Sequence, residues 1–270
     1  MFESLVNGEI SEHVHVADRG LNYGDGLFET IAVVKGQPRW WQDHIDRLTS
    51  GCERLGLQVP AQAVLLREVQ TVSAGQARCV VKIVLTRGAG GRGYAPVEGL
   101  EPARLVSSHP WPQGMDQLAS TGVDARICDL KLSVQPKLGG MKHLNRMEQV
   151  LAAKEMEGQQ AAEGILEDME GHLISAISAN LFMVCGGQLI TPRLDRSGVR
   201  GVLRARILHT FKNRCELRRI SRDMLAEASE VFICSAIRGI VPVLKIDSFQ
   251  YPTGPVTREF QAWLHEVLNG

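Results

Sequence analysis

The residues best placed to do chemistry lie in Gly139-Gly140-Met141-Lys142-His143-Leu144-Asn145-Arg146, where a glycine pair precedes a lone lysine. Glycines let backbone and ligand approach closely, and this lysine stands outside any run of charge. As the free amine such a side chain attacks carbonyls, and it can also remain condensed with an aldehyde. Most lysines are solvated surface charges, so this stretch alone carries little weight. Arg47, in His44-Ile45-Asp46-Arg47-Leu48, is most simply a surface arginine. A guanidinium is also the side chain that grips a phosphate through two parallel bonds. Arg87-Gly88-Ala89-Gly90-Gly91-Arg92-Gly93-Tyr94 sets two arginines among four glycines, a flexible cationic loop suited to a carboxylate-bearing ligand. It is not a Walker-type phosphate loop, because no Gly-Lys-Ser/Thr closes it. Ser197-Gly198-Val199-Arg200-Gly201 leads into a helical run and can offer backbone N–H groups to an anion at the positive helix end. That motif is common and says little by itself.

The elements that must position these residues alternate between strands and helices. Leu5 to Ile10 carries the Asn7-Gly8 pair of a tight hairpin. Asp18 to Gly26 reads as a glycine-rich loop, and Leu27 to Val34 as a strand. Asp43 to Leu55 is predicted helical, with Ile45, Leu48, Cys52 and Leu55 on one face, and Ala61 to Val72 is a second helix. Cys79 to Thr86 is nearly all apolar, as in a strand buried on both sides, and Arg104 to Ser108 is another strand. Pro110-Trp111-Pro112-Gln113-Gly114 marks the best boundary, dividing the chain into 1–113 and 114–270, with Lys142 in the second part.

Beyond it, Val123 to Cys128 is a strand and Asn145 to Glu157 a helix. Two hairpins turn at Glu170-Gly171 and Gly186-Gly187, which implies antiparallel sheet. A helix from Val202, a strand at Glu230 to Cys234, another at Val241 to Ile246, and a helix from Thr257 to Leu268 complete the chain.

Composition bounds the possibilities. The 270 residues are 44% hydrophobic and 22% charged, as in ordinary globular proteins. Thirty basic residues balance thirty acidic ones, so no global field points to nucleic acid or an anionic membrane. No apolar run approaches the ~20 residues of a membrane helix, and no leader pattern opens the chain. The six cysteines are scattered, with no Cys-x-x-Cys pair and no histidine at metal-ligand spacing. Reduced core thiols in a cytoplasmic enzyme are therefore expected, with neither a disulfide framework nor a metal site.

Taken together and in order, these stretches resemble the fold type IV pyridoxal-phosphate enzymes, and among them the aminodeoxychorismate lyases. The resemblance covers essentially the whole chain. It rests on Asp18-Arg19-Gly20, Tyr23-Gly24-Asp25-Gly26-Leu27-Phe28-Glu29-Thr30, His44 to Leu48, Arg87 to Tyr94, Lys142 to Arg146, Ser178-Ala179-Asn180-Leu181-Phe182, and Thr191-Pro192 with Gly198-Val199 and Gly201. The Gly-Asp-Gly loop and the Arg47 helix are shared across the fold type. The Gly-Gly-Arg-Gly-Tyr loop and Lys-His-Leu-Asn-Arg favour the lyase over its aminotransferase relatives.

The resemblance implies an α/β fold of α+β character, with a small N-terminal domain, a larger sheet-rich C-terminal domain and pyridoxal 5'-phosphate between them. It implies a cytoplasmic homodimer that converts 4-amino-4-deoxychorismate to 4-aminobenzoate and pyruvate, in folate biosynthesis. Lys142 would hold the cofactor aldehyde and later, as free amine, remove the ring proton. Arg47 would bind the phosphate, joined by backbone N–H groups of Val199, Arg200, Ala236 and Ile237. Thr30 would protonate or steady the departing enolpyruvyl group. Arg92, Tyr94 and Asn145 would meet the substrate.

One position departs from the pattern. Five residues before Asn180 the family usually carries a glutamate against the protonated pyridine nitrogen, and Ser175 stands there. A hydroxyl can hydrogen-bond that nitrogen but cannot hold it protonated as a carboxylate does, which makes the ring a weaker electron sink. Glu167 or Asp168, on the preceding strand of the same hairpin, is the candidate to substitute. The rival readings are a D-amino-acid or branched-chain aminotransferase on the same fold, and a weakly active or non-enzymatic cofactor-binding protein.

Overall fold

The structure, a computed structural model, describes residues 3–269. The chain forms two compact units, Met1–Pro112 with Met141–Asn145, and Gln113–Gly140 with Arg146–Gly270.

The first unit contains β1 (Ser4–Val6), β2 (Glu9–Ile10), α1 (Arg19–Tyr23), β3 (Gly26–Val34), β4 (Gln37–Pro38), α2 (Trp41–Leu55), α3 (Gln62–Val72), β5 (Arg78–Thr86) and β6 (Ala103–Pro110). Its antiparallel sheet runs β2-β1-β6-β5-β3-β4. Asn7 and Gly8 both take positive φ, 54° and 90°, as their hairpin turn requires. β3 and β5 pair without interruption from Gly26↔Thr86 to Val34↔Arg78. Side chains alternate along β3, so Leu27, Ile31 and Val33 enter a core with Ile45, Leu48 and Cys52 of α2. The expected loop at Asp18–Gly26 contains the short helix α1, whose Asp18 side chain accepts the Leu21 N–H at 3.1 Å. Five residues are too few to show a helical period.

Met141–Asn145 belongs to this unit, although the sequence division at residue 113 assigned Lys142 to the other. The reason is backbone pairing. The Phe28 N–H donates to the Lys142 carbonyl and the Leu144 N–H to the Gly26 carbonyl, both at 3.0 Å, around an antiparallel Leu27↔His143 bridge.

The second unit contains α4 (Leu118–Thr121), β7 (Val123–Leu132), α5 (Met147–Glu155), β8 (Glu163–Asp168), β9 (His172–Ala176), β10 (Asn180–Cys185) and β11 (Gln188–Pro192). It continues with α6 (Val202–Thr210), β12 (Cys215–Arg218), β13 (Ile220–Ser221), β14 (Ala228–Ser235), β15 (Gly239–Ile246), β16 (Phe249–Gln250) and α7 (Pro255–Asn269). The path β10-β14-β15-β7-β8-β9 returns to β10 through an Asn180↔Ser175 pairing, which closes a ring of strands. Leu181, Ile233, Val241, Ile127 and Ile165 belong to one continuous core. β7 runs parallel to β8 and β15, while the two hairpins read from the sequence are antiparallel as expected. α7 is capped by the buried Glu230, whose Oε2 accepts the Thr257 N–H and hydroxyl, each at 2.8 Å.

Gly26 shows how tightly the Lys142 segment is set. A Cβ there would lie 2.3 Å from the Leu85 carbonyl and 2.8 Å from Leu144 Cδ1. Gly26→Ala is expected to cost about 1–3 kcal/mol in denaturant unfolding, as for other overpacked sites. Because the displaced backbone carries the Leu144 hydrogen bond, the Leu144 amide should also lose protection in hydrogen exchange. Unchanged protection would show that the segment does not depend on β3.

Candidate active site

In the first unit β3 sets the geometry. Phe28 and Thr30 share one face, while Glu29 lies on the core face between Leu27 and Ile31. Lys142 Nζ sits 4.0 Å from the centroid of the Phe28 ring. The structure thus brings the Lys142 amine and the Thr30 hydroxyl to one face of one strand, both half-buried. Lys82 pairs with Thr30 across β5 and holds its Nζ 5.4 Å from the same ring centroid. Sequence reasoning missed Lys82, because only strand register brings it there.

On the core face, Glu29 is 1% exposed and takes three donors. His44 Nδ1 lies 2.6 Å from Oε2, Arg47 Nε donates to Oε1 at 2.8 Å, and Arg47 Nη2 donates to Oε2 at 2.5 Å. Burial pushes this carboxyl up, but the Arg47 charge and the hydrogen bonds of His44 and Arg47 outweigh it and bring its pKa down to about 2. Arg47 is therefore an anchored side chain rather than a solvated surface arginine. Glu29 also escaped sequence reasoning as a functional residue, since an alternating strand pattern gives no warning of a carboxylate turned inward.

The cationic loop is held by its own base. The Asp25 carboxylate accepts from Arg19 Nε at 3.0 Å and from Arg87 Nε and Nη2 at 2.7 and 3.0 Å. Desolvation raises the Asp25 pKa, yet these two guanidiniums leave it below its ordinary value. Arg19 reaches on to the carbonyls of Gly93 and Tyr94 at 3.0 and 2.6 Å. The Tyr94 ring meets Tyr23 edge-on at 5.6 Å between centroids, and both Arg92 and Tyr94 are exposed. Arg87 is thus a strut, and Arg92 is the arginine the loop presents. Asn145 is exposed, and its Nδ2 donates to the Gly24 carbonyl at 3.0 Å, which pins the α1 turn to the lysine segment.

In the second unit the Ser197–Gly201 loop precedes α6. Asn180 fixes it from both sides, donating from Nδ2 to the Val199 carbonyl at 2.8 Å and accepting the Gly201 N–H at 3.0 Å. Gly140 pairs with the same loop, donating to the Gly198 carbonyl and accepting the Arg200 N–H, both at 3.0 Å. This corrects the expectation for Arg200, whose amide hydrogen already has a backbone partner. Ser197 Oγ is buried without a hydrogen-bond partner among the described residues. Ala236 and Ile237 form the turn between β14 and β15, where the Arg238 N–H donates to Ser235 Oγ at 3.1 Å. Ser175 is buried at the ring closure opposite Leu166 and Asn180. Of the two carboxylates expected to stand in for it, Glu167 is committed to cations, whereas Asp168 Oδ2 is buried without a hydrogen-bond partner among the described residues. Glu167 is ion-paired with Lys131 and with Arg222, and Asp168 Oδ1 accepts the N–H groups of Glu170 and His172 at 2.9 and 3.0 Å. Asp168, Glu170 and His172 bring their polar atoms within 4.8 Å of one another, but both Glu170 oxygens already meet Arg196 at 2.7 Å.

Comparison with known proteins decides the family. The family model of the class IV amino-transferases matches residues 26–246. The chain belongs to that family. It is 34% identical over 269 residues to the aminodeoxychorismate lyase of Vibrio harveyi, covering 96% of this chain and 98% of that protein. It is 27% identical over 292 residues to a D-alanine aminotransferase of Listeria monocytogenes, covering 98% of this chain and 95% of that protein. Among solved structures, the 4-amino-4-deoxychorismate lyase of Pseudomonas aeruginosa superposes with a TM-score of 0.93 at 39% identity, covering 99% of this chain and 100% of that one. The matched region contains every first-unit residue described here from Phe28 to Asn145, and the Ser197–Gly201 loop.

The Glu29 cluster predicts a pH dependence. Its folded pKa of about 2 lies below the ordinary value of 4.5, so its stabilisation is complete above pH 4.5 and is lost as pH falls through 2. The shift corresponds to about 3 kcal/mol. Glu29→Gln should flatten the unfolding free energy against pH over that window, measured by urea denaturation; a profile parallel to wild type would remove Glu29 as its source.

Proposed function

We propose that the chain is a pyridoxal-phosphate-dependent lyase that converts 4-amino-4-deoxychorismate to 4-aminobenzoate and pyruvate. The observation that carries the reading is the Lys142 amine beside Phe28, on the Thr30 face of β3 and fixed there by backbone hydrogen bonds. The lyase relatives from V. harveyi and P. aeruginosa match along nearly their whole length at 34% and 39% identity. The aminotransferase relatives support the shared fold.

The donor set fits the cofactor. In the first unit the anchored guanidinium of Arg47 suits a phosphate and the Lys142 amine an aldehyde; in the second, the Ser197 hydroxyl in the loop before α6 is buried without a hydrogen-bond partner among the described residues. When bound, pyridoxal phosphate supplies an electron sink for the carbon next to the substrate amine. By the family resemblance, Arg47 would bind the phosphate, and the backbone N–H groups of Val199, Ala236 and Ile237 would be the second unit's donors to it. Lys142 Nζ accepts the ring proton. Thr30 Oγ1 donates toward the departing enolpyruvyl group, and aromatisation of the product makes the departure downhill. Arg92, with Tyr94, meets the substrate carboxylates. Ser175 would offer the pyridine nitrogen a hydrogen-bonding hydroxyl in place of the family's carboxylate. That pairing suits expulsion of a leaving group better than transamination, which needs a stronger sink.

The reading extends to a cytoplasmic homodimer. Six free cysteines suit a reducing compartment. No helix among the described residues is long and apolar enough to cross a membrane.

The test is purified protein with 4-amino-4-deoxychorismate and pyridoxal phosphate, followed by coupled pyruvate detection. Pyruvate and 4-aminobenzoate should form in equal amounts. Efficient transamination of a D- or branched-chain amino acid without pyruvate release would overturn the lyase. Lys142→Ala should abolish turnover and the visible absorbance of the lysine-bound cofactor. Thr30→Val should lower turnover by roughly 10²–10⁴-fold, as expected for loss of a positioned proton donor, while that absorbance is retained.

A further inference from the structure

We infer that Glu29 and His44 are positioning residues that lock the Arg47 guanidinium for phosphate binding, an inference that rests on the phosphate role proposed for Arg47. Glu29 lies on an otherwise apolar face of β3, flanked by the buried Leu27 and Ile31. A carboxylate there is costly unless every oxygen is satisfied. Here both oxygens are, and the donors come from one element: His44 and Arg47 are three residues apart on α2 and so share a face.

Stability alone does not call for this arrangement, since a buried ion pair is often no better than apolar residues of the same volume. Its effect on geometry is specific. Paired contacts from Nε and Nη2 to the two Glu29 oxygens fix both the position and the plane of the guanidinium. The Arg47 side chain nevertheless keeps 16% exposure, against 1% for Glu29. The charged group is anchored from the core side and reaches solvent on its outer side.

His44 completes the lock. It is fully buried, and the ionised Glu29 accepts its Nδ1 hydrogen. Its Nε2 is buried without a hydrogen-bond partner among the described residues. A ring held by one bond and by packing sets where Glu29 can sit, and through Glu29 the angle of Arg47.

Two effects of Glu29 oppose one another, which makes the inference testable. Its negative charge weakens the attraction of Arg47 for any anion, whereas its geometry orients the guanidinium. The experiment measures apo-protein affinity for pyridoxal phosphate and for pyridoxal, which shares the aldehyde but lacks the phosphate. The ratio of the two affinities cancels any loss of folded protein. Arg47→Ala should collapse the ratio. Glu29→Gln should lower it roughly 10- to 100-fold, by analogy with the loss when hydrogen-bonding partners of metal-ligating side chains are removed. His44→Phe should lower it in the same direction and keeps the test available if Glu29→Gln folds poorly. Glu29→Gln added to Arg47→Ala should change the ratio no further. A ratio unchanged or raised by Glu29→Gln and His44→Phe, with Arg47→Ala still lowering it, would overturn the positioning role and leave the phosphate reading standing. A ratio unaffected by Arg47→Ala would overturn the phosphate reading itself.

Discussion

Two backbone hydrogen bonds bind the Lys142 segment to β3, and the placement of the Lys142 side chain depends on them. Phe28 donates to Lys142 and Gly26 accepts from Leu144. Backbone pairing constrains a residue more tightly than side-chain packing, because it fixes which face the side chain must take. With Leu27 bridged to His143, the Lys142 side chain falls on the Phe28 face and nowhere else. Thr30 follows from the same alternation two residues on. The amine and the hydroxyl are therefore placed by one strand, and a slip of one residue would send both into the core.

The same strand sends Glu29 the other way, and the cost of burying it is met by the Arg47 guanidinium and the His44 ring of α2. The pattern recurs through the chain. Asp25 is held between Arg19 and Arg87, Glu68 accepts from Arg104, and Glu230 caps the start of α7. Each of these carboxylates ties two elements distant in sequence. Around Asp25 the tie has a direction: Arg19 continues to the carbonyls of Gly93 and Tyr94. The backbone of the glycine-rich loop is thereby fixed at its far end, while Arg92 stays exposed at its tip. Glycines give this loop its freedom of shape, and the Arg19–Asp25 pair removes much of it.

What the sequence makes legible follows from periodicity. The two hairpins at Gly171 and Gly187 and the amphipathic α2 are visible because turn residues and apolar spacing are local signals. Lys142 and Arg47 are visible through ordered motifs rather than through any local property. What stays hidden depends on register and on long-range pairing. The Arg200 amide looks like an anion donor until Gly140, sixty residues earlier, is found to accept it. The Asn145 amide, read as a substrate ligand, also makes a structural bond to the Gly24 carbonyl that its own motif does not announce. Glu167 looks able to replace the missing glutamate until Lys131 and Arg222 are found on it. In each case a polar group free on paper is committed to the fold.

Ser175 is where those constraints bear on reaction class. It sits at the Asn180 pairing that closes the strand ring, and Asn180 in turn fixes the loop of Val199. A carboxylate introduced at Ser175 would be buried at that joint, with Glu167 already committed to Lys131 and Arg222. An unpaired buried carboxylate binds a proton rather than remaining charged, unless a cation meets it. In the family at large that cation is the protonated ring nitrogen, so carboxylate and ring protonation stand or fall together. With serine there is no such coupling: the hydroxyl is neutral whatever the ring does, and the joint closes without a charge to neutralise. A chain that expels its leaving group early can accept the weaker sink, and a transaminase gains nothing from it. The fold is common to both kinds of relative, so a difference in reaction class has to lie in side chains set on it rather than in the strand order.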